Sequence, residues 1–256
     1  MLKIKAVCLT ALSITLLYAQ QNTLNVYGSM GFGFRTGGHR FESTESSVLK
    51  SALNKREDMY FSYGQGIKFD AGIQYFMMKN VALHAGFGYS GGLPGLETKD
   101  RVDDGIDVAS VTTTTDYNTH LFGLKVMVVP YFDFLELMDM YVGVGTGFFW
   151  NSFRYTRTIK INTSTQTEKG KIRSAPTLGL LGMLGAEIPL TDLFCAFGEI
   201  GFEQMSFKWR KNIVDESEIT GARTEFFEKD APNQRPPEKV PGSNWQIRAG
   251  LRFGIM

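Results

Sequence analysis

The chain has 256 residues, 43% of them hydrophobic and 13% aromatic, with a formal net charge of +1 at neutral pH. So small a charge excludes the strong basic footprint of a nucleic-acid binder, and no nucleic-acid partner is expected. The apolar content excludes an intrinsically disordered chain.

The N-terminus reads MLKIKAVCLTALSITLLYAQQN. Lys3 and Lys5 form a short positive region, an apolar run follows from Ala6 to Leu17, and small Ala19 precedes Gln20. This pattern predicts a secretory signal peptide over 1–19, leaving 20–256 as one exported domain. The run is too short for a helical span, which needs about 20 apolar residues. Cys8 falls inside the leader, after Ala6-Val7 rather than a lipidation box. Cys195 has no Cys or His at metal-ligand spacing. An internal disulfide, a metal site and a cofactor are therefore not expected.

After the leader, the recurring pattern is alternation with period two, the mark of strands. The first segment sets Leu24, Val26, Met30, Phe32 and Phe34 against Asn25, Tyr27, Ser29 and Arg35. The second, 61–78, sets Ile67, Phe69, Ala71, Ile73 and Tyr75 against Lys68, Asp70, Gly72 and Gln74. The third, 81–91, sets Leu83, Phe87 and Tyr89 against His84, Gly86, Gly88 and Ser90. The fourth, 113–130, sets Phe122, Leu124, Val126 and Val128 against Thr119, Gly123, Lys125 and Met127. The fifth, 140–159, sets Val142, Val144, Phe148 and Trp150 against Gly143, Gly145, Gly147 and Asn151. In the sixth, 172–189, Leu178, Leu180, Leu184 and Ile188 oppose Gly179, Gly185 and Glu187. Leu181 and Met183 break its polar face, and Pro176 stands near its start. The seventh, 194–212, sets Phe194, Ala196, Ile200 and Phe202 against Glu199, Gly201 and Glu203. The last sets Trp245, Ile247, Ala249, Leu251, Phe253 and Ile255 against Gln246, Arg248, Gly250, Arg252 and Gly254.

The connections alternate. Those at 37–60, 92–112, 160–171 and 213–243 are long; those at Lys79-Asn80, 131–139 and 190–193 are short. This is what an eight-stranded up-and-down meander gives when one barrel end carries loops and the other turns. An eight-stranded bore is just wide enough for side chains to fill. The polar parity is rich in glycine, whereas the apolar parity carries Phe, Leu, Ile and Trp, which would crowd a narrow lumen. The expectation is an all-β, antiparallel transmembrane barrel with its apolar face outward. Aromatic girdles are expected from Tyr75, Phe76, Tyr131, Phe132, Phe134, Tyr141, Phe194 and Phe253 at the turn end. Tyr63, Tyr89, Tyr117, Trp150, Phe153, Tyr155, Trp209 and Trp245 are their counterparts at the loop end.

A leader, eight amphipathic strands, four long loops and a final strand reading WQIRAGLRFGIM resemble the small outer-membrane barrels of the OmpA/OmpX/OmpW and opacity-protein type. The resemblance covers the mature chain and is architectural. It implies a Gram-negative-type outer membrane and contact with outer-membrane lipids. It also implies recognition of the last strand by the barrel-assembly machinery, with Phe253 three positions before the end. No peptidoglycan-binding domain is expected.

By parity the lumen receives Arg35, Lys68, Lys125, Arg248 and Arg252 as bases, Asp70, Glu187, Glu199 and Glu203 as acids, and His84. Buried charges must be paired, so an interior salt-bridge network is expected. It acts either as a plug or, alternatively, as a narrow pore whose pairs switch partners. A lipid-modifying enzyme is the third possibility, but His39, His84 and His120 have no nucleophile placed beside them. The last loop carries seven acids from Asp215 to Glu238 among Pro232, Pro236, Pro237 and Pro241. It points to a surface role with an unknown extracellular ligand. The stretch from Lys99 to Asp104 lacks the spacing of a calcium loop, and Ser47 to Arg56 is expected to form a short helix.

Overall fold

The computed structural model describes residues 23–36, 39–41, 59–92, 96–98, 111–135, 138–161, 164–218, 221–226 and 239–255. The expected leader, the expected helix at 47–56, the stretch 99–104 and most of the last loop lie outside the described residues.

Eight antiparallel strands close on themselves: β1 (Leu24–Arg35), β2 (Gly66–Met78), β3 (Val81–Gly91), β4 (Val111–Leu135), β5 (Met138–Ile161), β6 (Thr177–Pro189), β7 (Phe194–Gln204) and β8 (Asn244–Ile255). Each pairs with its sequence neighbours, and closure comes from β1 against β8, running from Leu24 opposite Ile255 to Arg35 opposite Asn244. Pairing all edges inside one sheet satisfies every ladder without water, which the hydrocarbon demands.

The alternation sorts the side chains as their hydropathy requires. Met30, Phe69, Phe87, Leu124, Val144, Leu180, Ile200 and Ile247 are exposed on the outer wall. Lys68, Asp70, His84, Glu199, Glu203, Arg248 and Arg252 are buried inside. An outward apolar surface present on all eight strands is far beyond the few hundred Å² a soluble monomer tolerates. Lipid is therefore the outer solvent, and the chain is an integral outer-membrane β-barrel.

Four expectations about the strands and connections change. The fourth and fifth strands continue to Leu135 and restart at Met138, with Leu135 opposite Met138, so 131–139 is mostly strand. The expected long loop at 160–171 is a hairpin, because β5 runs to Ile161 and pairs there with Ser164 of a further strand, Ser164–Ser174. Its sequence is polar on both faces, so it carries no period-two contrast to read. The second strand begins at Gly66 rather than 61. The seventh strand ends at Gln204 rather than 212, and Ser206–Ser217 is a separate strand paired with Ser164–Ser174.

The sixth strand is continuous in direction but broken in register. Thr177 lies opposite Phe149, whereas Ile172 lies opposite Phe153. One extra residue therefore sits at Ala175-Pro176, as a β-bulge. Proline has no N–H to lose there. The bulge flips the parity, so Ile172 and Gly170 face in above it while Leu181 and Met183 face in below it.

Glycine makes room for the interior. The Phe149 ring lies so close that a Cβ at Gly147 would sit 2.6 Å from it, and one at Gly123 2.5 Å. A Cβ at Gly179 would meet the same ring at 3.0 Å, so three glycines leave the space that the ring fills. Gly147→Val is expected to cost about 1–3 kcal/mol through overpacking. Gly198→Ala, which meets nothing within 4 Å, should stay within about 0.5 kcal/mol. Urea unfolding midpoints of the two variants check the contrast.

Candidate functional site in the lumen and above the membrane

The charged wall of the lumen is built by β2, β4, β7 and β8, whose inward positions carry carboxylates and cations at facing heights. Lys68 Nζ lies 2.5 Å from Glu203 Oε2, and Lys125 Nζ lies 2.7 Å from Glu203 Oε1 and 2.5 Å from Asp70 Oδ1. Arg248 continues the chain, with 2.8 Å to Asp70 Oδ2 and 2.7 Å to Glu199 Oε2. Asn244 donates to Glu203 at 2.9 Å, and the Tyr141 hydroxyl donates to Glu199 at 2.9 Å. Four lumen cations thus face four lumen anions, Arg252 completing the balance by pairing with Glu187. The charges of these eight described groups balance one another.

Arg252 also closes the turn end. Its guanidinium stands 5.7 Å from the ring centres of Tyr131 and Tyr141 and 5.4 Å from that of Phe197, within cation–π range. Gln74 donates to the Tyr131 hydroxyl at 2.7 Å. At the loop end the seal is aromatic. Tyr63, from the connection before β2, packs edge-on against Phe153 and Phe207 at 6.0 and 5.1 Å. It accepts a 2.9 Å hydrogen bond from the Trp209 indole N–H. Val240 and Met205 complete this buried cluster. Between the two seals, a cavity lined by Tyr27, His84, Lys125, Met183 and Arg248 offers about 20 Å³, room for about one water. The His84 Nε2 has no protein partner there among the described residues.

The sequence-derived network is thus brought together except for one member. Arg35 is exposed at the loop-side end of β1, because its parity points inward only where a barrel wall still surrounds it. His84 is inside but belongs to no ion pair among the described residues; it packs by Tyr27 at 5.5 Å. The lumen also has an apolar half: Met127, Leu181 and Met183, which share the inward parity, are buried, and Phe149 and Phe197, which the sequence pattern does not single out, join them. The girdle assignment is also corrected in part. Phe76, Tyr131, Tyr141, Tyr63, Phe153, Tyr155 and Trp209 are buried inside, whereas Tyr75, Phe132, Phe194 and Trp245 are outward and exposed. The outer loop-side girdle continues through Tyr89, Phe122 and Trp150, with centroid spacings of 5.4 and 5.9 Å. His120, also on this outer wall, lies 2.7 Å from the Tyr89 hydroxyl through its Nδ1.

Above the girdle, a sheet stands free of the bilayer. It is made of the upper halves of β4 and β5, the strand Ser164–Ser174, the strand Ser206–Ser217 and the edge strand Arg223–Phe226. β4 and β5 are 25 and 24 residues long, against about 9–11 needed to cross. More than half of each therefore projects. Cross-strand pairs hold this sheet, among them Lys169 with Glu216 at 2.8 Å and Lys171 with Asp215 at 3.0 Å.

No family model matches the chain, and no curated protein does. Solved structures do. A major outer membrane protein from Thermus thermophilus aligns with TM-score 0.46 and 11% identity over 91% of this chain and 98% of that one. The outer membrane protein OprG from Pseudomonas aeruginosa aligns with TM-score 0.46 and 9% identity, over 92% and 97%. Neisserial surface protein A aligns with TM-score 0.41 and 10% identity, over 90% and 96%. At these identities no residue correspondence is drawn.

Proposed function

We propose that this barrel is a non-enzymatic structural and surface-interaction protein, working through the sheet and loops above the membrane rather than through its bore. The observation that carries the reading is the filled lumen. Its charges are paired end to end, and both mouths are closed by aromatic packing. What remains available to a partner is the projecting sheet, which no crossing requirement explains.

Purified protein in planar lipid bilayers is expected to stay electrically silent. Steady unitary conductance would overturn the closed bore and favour the second reading, a narrow pore for small solutes. One contact supports that alternative: Lys125 touches both Asp70 and Glu203, so it has two partners between which to switch. The surface role has its own test. Cells displaying a chain with the hairpin at 156–169 cut back should adhere less than cells displaying the whole chain. Equal adhesion would remove that role.

A further inference from the structure

The outward wall at the base of the projecting sheet carries a group of cations that the lumen chemistry does not use. Arg154 stands four residues above Trp150 on β5. Register sets Arg154 opposite Lys171, and Arg173 opposite Lys211. Lys208 and Arg210 share that wall, because Phe207 and Trp209 between and beside them face in. Lys171 is held by Asp215. The other five make no ion pair among the described residues. Of the nearby acids on this wall, Glu216 is engaged by Lys169, and Asp116 lies one rung higher than Arg154, on β4.

We propose that these cations bind the phosphorylated headgroup of an outer-leaflet lipid whose acyl chains lie on the apolar wall below. Three observations converge on that occupant. The first is depth. The Tyr89–Phe122–Trp150 girdle marks the interface. Four residues above it is about 13 Å along a strand, or about 10 Å along the normal at a tilt of about 40°. The headgroup layer extends about 5–7 Å beyond the hydrocarbon, and Arg and Lys stems bend back toward it. The second is continuity. Directly beneath the bulge, Leu178 and Leu180 are 71% and 64% exposed, so cationic and lipid-facing surfaces share one wall. A soluble anion would use only the upper part; an amphiphile uses both. The third is chemistry. Unpaired guanidinium groups next to ammonium groups fit the several oxygens of a phosphate, which arginine can grip with two parallel hydrogen bonds.

Each cation near an anionic membrane surface is worth about fivefold in affinity, so removing three should cost on the order of a hundredfold. The test uses the full barrel in detergent micelles, titrated with diphosphorylated lipid A or its phosphate-free counterpart and read by native mass spectrometry. The wild type should retain the phosphorylated lipid in clear preference. A variant carrying R154Q, R173Q and K211Q should lose that preference while keeping its affinity for the phosphate-free lipid. Lys160→Gln, six residues further up β5 and beyond headgroup depth, should bind as the wild type does. Heat-dependent gel mobility establishes that each variant is folded. Equal retention of both lipids by the wild type, or an unchanged preference in the triple variant, would overturn the proposal. So would displacement of the lipid by millimolar inorganic phosphate, which would make the cluster a site for soluble anions.

Discussion

Replacing Glu203 by alanine is expected to lower the unfolding free energy by about 3–5 kcal/mol, the cost of stranding a buried charge. Glu203 receives Lys68, Lys125 and the Asn244 amide at once. Lys125 would keep Asp70, at 2.5 Å, but Lys68 would keep no carboxylate. Its side chain is 3% exposed, so water cannot take over. The effect should be much larger than for removing Glu216, whose pair with Lys169 is 69% and 54% exposed on its two sides and is worth about 0–1 kcal/mol. The companion variant Lys68→Met with Glu203→Met removes both charges. It should recover most of the loss, because a buried pair replaced by apolar side chains of similar volume is often neutral or better. Urea titration of the folded, heat-resistant gel species measures all of these. A loss under about 1 kcal/mol for Glu203→Ala would mean the lumen is wet enough to screen the pair, and the closed bore would fall with it.

The same variant links stability to function. If the ion chain closes the bore, cutting it at Glu203 leaves one uncompensated positive charge midway between two aromatic seals. Those seals involve different residues, Tyr63 with Trp209 at one end and Tyr131 with Tyr141 at the other. The folded fraction of Glu203→Ala should therefore remain silent in bilayers. Conduction after this single change would place the barrier in the salt bridges alone.

Much of this arrangement is legible in sequence because a barrel strand writes its environment with period two. Lys68-Phe69-Asp70-Ala71 declares its two faces directly, and Glu199, Glu203, Arg248 and Arg252 follow from the same rule. Three kinds of feature were not legible. Leu181, Met183 and Phe149 share the inward parity and sit inside as it requires; what parity does not give is that a filled lumen needs their apolar volume as well as charge pairs, since it says only which way a side chain points. Arg35 has the inward parity yet emerges at the rim, because parity carries no information on where the wall ends. The cation group at Arg154, Lys171, Arg173 and Lys208 is dispersed over three strands. It becomes one surface only when the register is known, and the bulge at Ala175-Pro176 reverses the parity that a reader would extend through it.

The inverted polarity makes the second large prediction, and it turns on a single side chain in the middle of the outer wall. Val144 is 62% exposed and lies between Val142 and Phe148 on the lipid face of β5. Val144→Arg should destabilise the folded barrel by about 2–4 kcal/mol, the cost of a cation near the bilayer midplane. Thr158→Arg, on the same strand and of the same parity but fourteen residues higher, should stay within about 0.5 kcal/mol. The two positions share strand and parity and gain the same group, and the contrast that sets the size of the effect is depth. In a soluble barrel both substitutions would face water and both would be harmless. Folding yields into lipid vesicles over a urea series separate the two cases. Equal, small effects at positions 144 and 158 would remove the lipid from around Val144, and with it the basis for placing the girdle, the projecting sheet and the cations between them.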